Sequence, residues 1–157
     1  MSAVAREPAD QGVTSGRSGL AARAGLVLVG LAQAETAIWG LVAPHSFFGD
    51  FPGAGHSWVA ALGPYNEHLL RDYAASELGL AVLMIGAALW FSRRVVLLAG
   101  VAFLAATIPH FAYHLTTTGS FSTGDNLASL GGFVLELAVV VMAMVVAARS
   151  SSERSRS

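Results

Sequence analysis

The stretch IPHFAYHL sets His110 and His114 four residues apart, beside Pro109, within an otherwise apolar run. On a helix that spacing puts both imidazoles on one face, where they can reach a single ion or ligand together. Thr107 and Thr117 extend the same face. A second stripe, Asp125, Ser129, Gly132 and Glu136, advances by steps of four, three and four. At about 100° per residue these four positions fall within about 60° of one another. A third set, in GPYNEHLLRD, holds two i,i+4 pairs: Glu67 with Arg71, and His68 with Asp72. Glu35 stands by itself in LAQAETAIWG, with Trp39 one turn away, and Glu77 points away from the Glu67–Asp72 pairs toward a different neighbour.

These residue types support three kinds of chemistry. His110 and His114, joined by Glu35, Asp72 or Glu136, would make a mixed nitrogen and oxygen shell suited to a divalent metal such as zinc, iron or manganese. The same histidines and carboxyls can act as general acids and bases on a lipid or quinone. They can also simply hydrogen-bond across helices and fasten a bundle. Arg71, at the mouth, is either held by Glu67 or Asp72 or faces an anionic ligand. Haem would need histidines on facing helices, such as His68 with His110 or His114, and no attachment motif supports it. The absence of cysteine excludes thiolate metal sites, disulfides and dithiol redox chemistry. Four methionines at positions 1, 84, 142 and 144 form no cluster for copper. A net charge of -1 gives no reason to propose nucleic acid as a partner.

The chain that must position these groups is 54% hydrophobic and 12% charged, against about 25% charged in ordinary soluble domains. That composition predicts an all-α integral membrane four-helix bundle with disordered polar termini. Four apolar stretches, about 20–43, 64–91, 95–117 and 126–148, each have roughly the 20 residues that cross a bilayer, and in lipid such segments must be helical. They define a domain over 19–149. Residues 1–18 and 150–157, polar and rich in Ser, Gly and Ala, are expected as disordered cytoplasmic tails. Pro64 suits a first helical turn, and Gly79, Gly86, Gly100, Gly131 and Gly132 would allow close helix approach. Ala32-Gln33-Ala34 resembles a signal-peptidase site, but apolar residues continue through Ile38, Trp39 and Leu41, which favours an uncleaved first helix.

Arginine sets the orientation. With both termini cytoplasmic, eight of the nine basic residues lie inside and only Arg71 lies outside, a positive-inside pattern that predicts a multi-pass plasma-membrane protein. All five histidines then fall on the outer side. The loop 44–63 carries Phe47, Phe48, Phe51 and Trp58, residues suited to an interfacial anchor or, folded back, a lid. In SFSTGDN, Thr123 or Asp125 is expected to cap the last helix. Turning the polar faces inward gives an outward-facing pocket built from Glu35, His68, Asp72, His110, His114 and Glu136, with Arg71 at its rim.

The pieces GPYNEHLLRDYAASELGLAVL and IPHFAYHL, with a late GDN…E helix, resemble small uncharacterised actinobacterial membrane proteins and, more loosely, DoxX-like four-helix membrane proteins. The resemblance spans about Leu20 to Ala148. It implies four helices and an intramembrane polar cluster, and, by family association, a role as accessory to a membrane redox or stress-response system. That role would bring the bilayer, a membrane-protein partner or a second copy of the chain as partners. It assigns no catalytic residue.

Overall fold

The computed structural model describes residues 16–154 and is all-helical among them. Four long helices, α1 (Arg17–Val42), α3 (Glu67–Leu89), α4 (Arg93–Thr116) and α5 (Thr123–Arg154), are joined by a short helix α2 (Pro44–Asp50) and two 3₁₀ turns, Ala60–Leu62 and Thr118–Ser120. The long helices include four stretches long and apolar enough to cross a membrane. Their outer faces carry large apolar side chains in the open: Leu28, Val82, Leu98 and Leu135 are all roughly two-thirds exposed. A water-facing surface seldom presents so continuous an apolar coat.

The helix starts are fixed by short polar side chains. Asn66 accepts from the Leu69 amide at 3.1 Å, and Ser92 from Val95 at 3.4 Å. Pro64 therefore precedes α3, because the Asn66 carboxamide satisfies a first-turn amide and sets the boundary. The cap of α5 is Ser122, one residue before the expected Thr123. Its hydroxyl accepts from the Asp125 amide at 3.1 Å and donates to the Asp125 carboxylate at 2.6 Å. This is a reciprocal arrangement related to the capping box. α1 passes without a break through Ala32-Gln33-Ala34, and α4 passes through Pro109. The expected tails fall largely on residues 1–15 and 155–157, outside the described residues, while α5 continues past Ala148 to Arg154.

α1 packs against α3 and α5, and α4 against α5 and, more sparsely, α3, so the four form a ring with α1 opposite α4. The closest seam is α1–α3, and glycines of α1 make it. A Cβ on Gly40 would sit 2.8 Å from the Ala74 Cβ, and one on Gly30 would meet Ile85 at 2.7 Å and the Ala81 carbonyl at 3.2 Å. Of the five glycines expected to serve close packing, only Gly100 meets another helix, at Met144. Gly79, Gly131 and Gly132 have open space where a side chain would go, and Gly86 meets only Trp90 beyond the end of its own helix.

Packing divides the bundle into two halves. The continuous apolar core, including Leu26, Met84, Phe91, Val96, Phe103 and Val140, draws on the first half of α1 and α4 and the second half of α3 and α5. It therefore occupies the end where Arg17, Arg23, Arg93, Arg94 and Arg149 gather. At the opposite end, beneath α2 and the loops, α1 and α3 stay in contact at Gly40 and Ala74, but the four helices leave a space between them.

Candidate functional site: a polar-walled cavity under an aromatic lid

The open half encloses a cavity of about 890 Å³ lined by all four long helices, within the size range of small-molecule sites. A smaller one of about 330 Å³ lies between α3 and α4 and shares Tyr73, Glu77, Leu80, Ala106 and His110 with it. The shared wall follows from the sparse α3–α4 seam. Ser76 and Ala106 on that seam are exposed, so the cleft runs from the bundle interior to its flank.

Each helix contributes polar groups about two to four turns below the loops. Gln33 on α1 is 8% exposed and donates from Nε2 to the Glu136 carboxylate of α5 at 3.2 Å. Glu77 on α3, also 8% exposed, points its carboxyl at the Tyr73 hydroxyl one turn earlier. It lies within electrostatic reach of Glu136. Ser129 and Thr107 are buried in the same wall. Glu35 lines the cavity from the rim and is itself exposed.

His110 and His114 both line the cavity, with their Nε2 atoms 3.1 Å apart. At that distance one ring donates and the other accepts, so at least one imidazole is neutral. Among the described residues neither ring pairs with a carboxylate. Instead Phe133 of α5 packs edge-on or tilted against both, with centroids 5.1 Å away in each case, and Tyr73 packs edge-on against His110 at 5.6 Å. Among the described residues no three His, Asp or Glu side chains come together closely enough to hold a metal ion. The expected shell of His110 and His114 with Glu35, Asp72 or Glu136 is therefore not assembled: the rings packed on the two histidines are aromatic, and Asp72 does not line the cavity.

The third polar set lies elsewhere. His68 pairs with Asp72 at 3.3 Å with both side chains largely exposed, and neither residue lines the cavity. Arg71 pairs with Glu67 at 2.8 Å and donates to the Leu41 carbonyl at 2.6 Å, which caps the end of α1. The i,i+4 pairing is as read from the sequence. The set faces away from the cavity because the face of α3 holding Leu70, Ala74 and Glu77 is the one turned inward.

The segment after α1 folds back over the cavity. Pro44 opens α2, and Ser46, two residues on, links it to α1 by accepting from the Trp39 indole at 3.2 Å and donating to Asp50 at 2.9 Å. Positive φ at Gly53, Ala54 and Gly55 turns the chain sharply, and the Trp58 amide returns to the Phe51 carbonyl at 2.8 Å. Phe47, Phe48, Phe51 and Trp58 all line the cavity. The segment is fastened to α5 at one carboxylate: Asp125 accepts from the Trp58 indole at 2.8 Å and pairs with His56 at 2.7 Å. Sequence reasoning missed Gln33, Tyr73 and this His56–Trp58–Asp125 clasp. A glutamine at mid-depth of an apolar helix was the available signal for Gln33; nothing local announces the clasp, whose partners are 67 residues apart.

Comparison of the chain with protein families, characterised proteins and solved structures finds no match. The likeness to DoxX-like proteins rests on the quoted motifs alone.

Proposed function

We propose that this is a multi-pass plasma-membrane protein with both ends cytoplasmic, and that its cavity is an intramembrane binding site for a small amphiphilic molecule. The observation that carries this reading is the junction of the large cavity with the α3–α4 cleft at Tyr73, Glu77 and His110. An apolar body would reach the cavity from the bilayer through that cleft, while its polar end meets the groups of the wall. Support for the orientation comes from arginine, concentrated at the closed end. A closed apolar half below and an aromatic lid above would isolate the site from both aqueous faces. Such a binding protein would serve a membrane redox or stress-response partner by presenting or sequestering its ligand. The second reading, acid/base chemistry on a bound lipid or quinone, is favoured by one arrangement: Tyr73, Glu77 and His110 line the same cleft.

Two measurements test the proposal. In a form carrying Trp39→Phe and Trp90→Phe, Trp58 reports the cavity. A brominated long-chain alcohol should quench it saturably, and Gly132→Phe, whose side chain would enter open cavity space, should abolish saturation. Linear quenching identical in both proteins would refute the site. For orientation, this cysteine-free chain allows single-cysteine labelling. In intact cells an impermeant maleimide should label Ala61→Cys, and it should label Ser92→Cys only after permeabilisation; the reverse order would invert the assignment.

A further inference from the structure

We infer that the amphiphile this cavity takes is cationic: a lipophilic amine, quaternary ammonium or phosphonium. The inference rests on the binding reading above and adds the sign of the ligand's charge.

Three carboxyls, Glu35, Glu77 and Glu136, line one cavity, and among the described residues no Arg or Lys lines it. Outside the cavity, Glu67 has Arg71 at 2.8 Å, and Asp72 and Asp125 each have an imidazole, His68 and His56, within ion-pair distance. Among the described residues none of the three cavity carboxyls has an ion-pair partner. The nearby imidazoles do not fill the role, because His110 and His114 are engaged with each other and with aromatic rings. Glu136 has the Gln33 amide, a neutral donor. Glu77, more than nine-tenths buried, faces only the Tyr73 hydroxyl and the second carboxyl. A buried carboxyl without a cation keeps its proton or, ionised, carries a desolvation cost, and a cationic ligand would offset that cost and favour the ionised form.

The rest of the lining fits the same ligand. Trp58, Tyr73, Tyr113 and Phe133 present aromatic rings to the cavity, and ring faces attract desolvated cations. The remaining apolar wall suits the hydrocarbon substituents of such a molecule. An anionic ligand would find no charged donor among the described lining residues.

The test uses three probes of similar bulk and different charge: tetraphenylphosphonium, tetraphenylborate and neutral triphenylphosphine oxide. Each is measured by equilibrium dialysis against the full chain in lipid nanodiscs, with empty nanodiscs subtracted. The phosphonium should bind saturably and at least about tenfold more tightly than either other probe. Gly132→Phe should remove that binding. Glu77→Gln should cut phosphonium affinity at least about tenfold and leave the neutral probe unchanged. Glu136→Gln provides the same comparison if the Glu77 variant loses its helical circular dichroism, and the wild-type probe series decides the matter without either. Binding of the borate or the neutral probe as tight as the phosphonium, abolished by Gly132→Phe, overturns the cation inference while the cavity reading stands. No difference between wild type and Gly132→Phe for any probe overturns both.

Discussion

Replacing Gly40 with alanine tests the α1–α3 seam where a new methyl would meet another Cβ. The new methyl would lie 2.8 Å from the Ala74 Cβ, about 1 Å inside the usual 3.5–4.0 Å carbon contact. Ala74 has no rotamer that could move its Cβ aside, so relief requires the two helix backbones to separate. Overpacking of this kind costs about 1–3 kcal/mol, while the gain in helix propensity from glycine to alanine returns about 1 kcal/mol. Gly132→Ala is the internal control: it adds the same methyl to a helix with nothing within 4 Å and keeps only the propensity gain. The two variants should therefore differ in stability by about 1–3 kcal/mol, with Gly40→Ala the weaker. Unfolding in mixed detergent–SDS micelles, followed by circular dichroism at matched lipid content, measures the difference. Equal stabilities, or a more stable Gly40→Ala, would show that α1 and α3 do not approach as described.

Other consequences are as direct. Gln33→Leu and Glu136→Leu, combined in a double-mutant cycle in the same assay, should show a coupling of about 0.5–3 kcal/mol for the α1–α5 hydrogen bond; strict additivity would remove that contact. Asp125→Ala takes away the shared acceptor of His56, Trp58 and Ser122. Amide exchange in residues 51–66 should then quicken by about tenfold to a hundredfold, since a bond to a charged group contributes about 1.5–3 kcal/mol, while exchange in the closed half stays unchanged; uniform acceleration throughout would mean the clasp supports the whole fold. Protein purified without chelators should hold zinc, iron and manganese well below one ion per chain, and His110→Ala or His114→Ala should not alter that. Stoichiometric metal lost in either variant would restore the two histidines as ligands.

The helices were legible because apolar composition and length leave a chain few alternatives in lipid. The i,i+4 pairs Glu67–Arg71 and His68–Asp72 were legible because local spacing determines them. Local spacing does not say which face of α3 turns inward. His68, Arg71 and Asp72 were placed at the cavity on the strength of their polarity, whereas Leu70, Ala74 and Glu77 take the buried face. The helix α2 was hidden for a related reason: PHSFFGD is too short to show a periodic signal, and its aromatic residues also suit an interfacial loop. The stripe Ser129, Gly132 and Glu136 reached the cavity as its periodicity indicated. Its first residue, Asp125, instead became the anchor of the lid, since at the first turn of α5 it meets the loop rather than the bundle interior.

Arg71 breaks the distribution of basic residues only when side chains are counted and their attachments ignored. Its guanidinium is spent on the Glu67 carboxylate and on the carbonyl of Leu41 at the terminus of α1, where a helix ends with partial negative charge. The loop-bearing pole of the molecule therefore presents no unattached basic side chain among the described residues of α2, α3 and their connections, and the electrical polarity from one end to the other is steeper than an eight-to-one tally suggests. A single arginine on the apparent wrong side thus works as a splice between two helices and leaves the gradient intact.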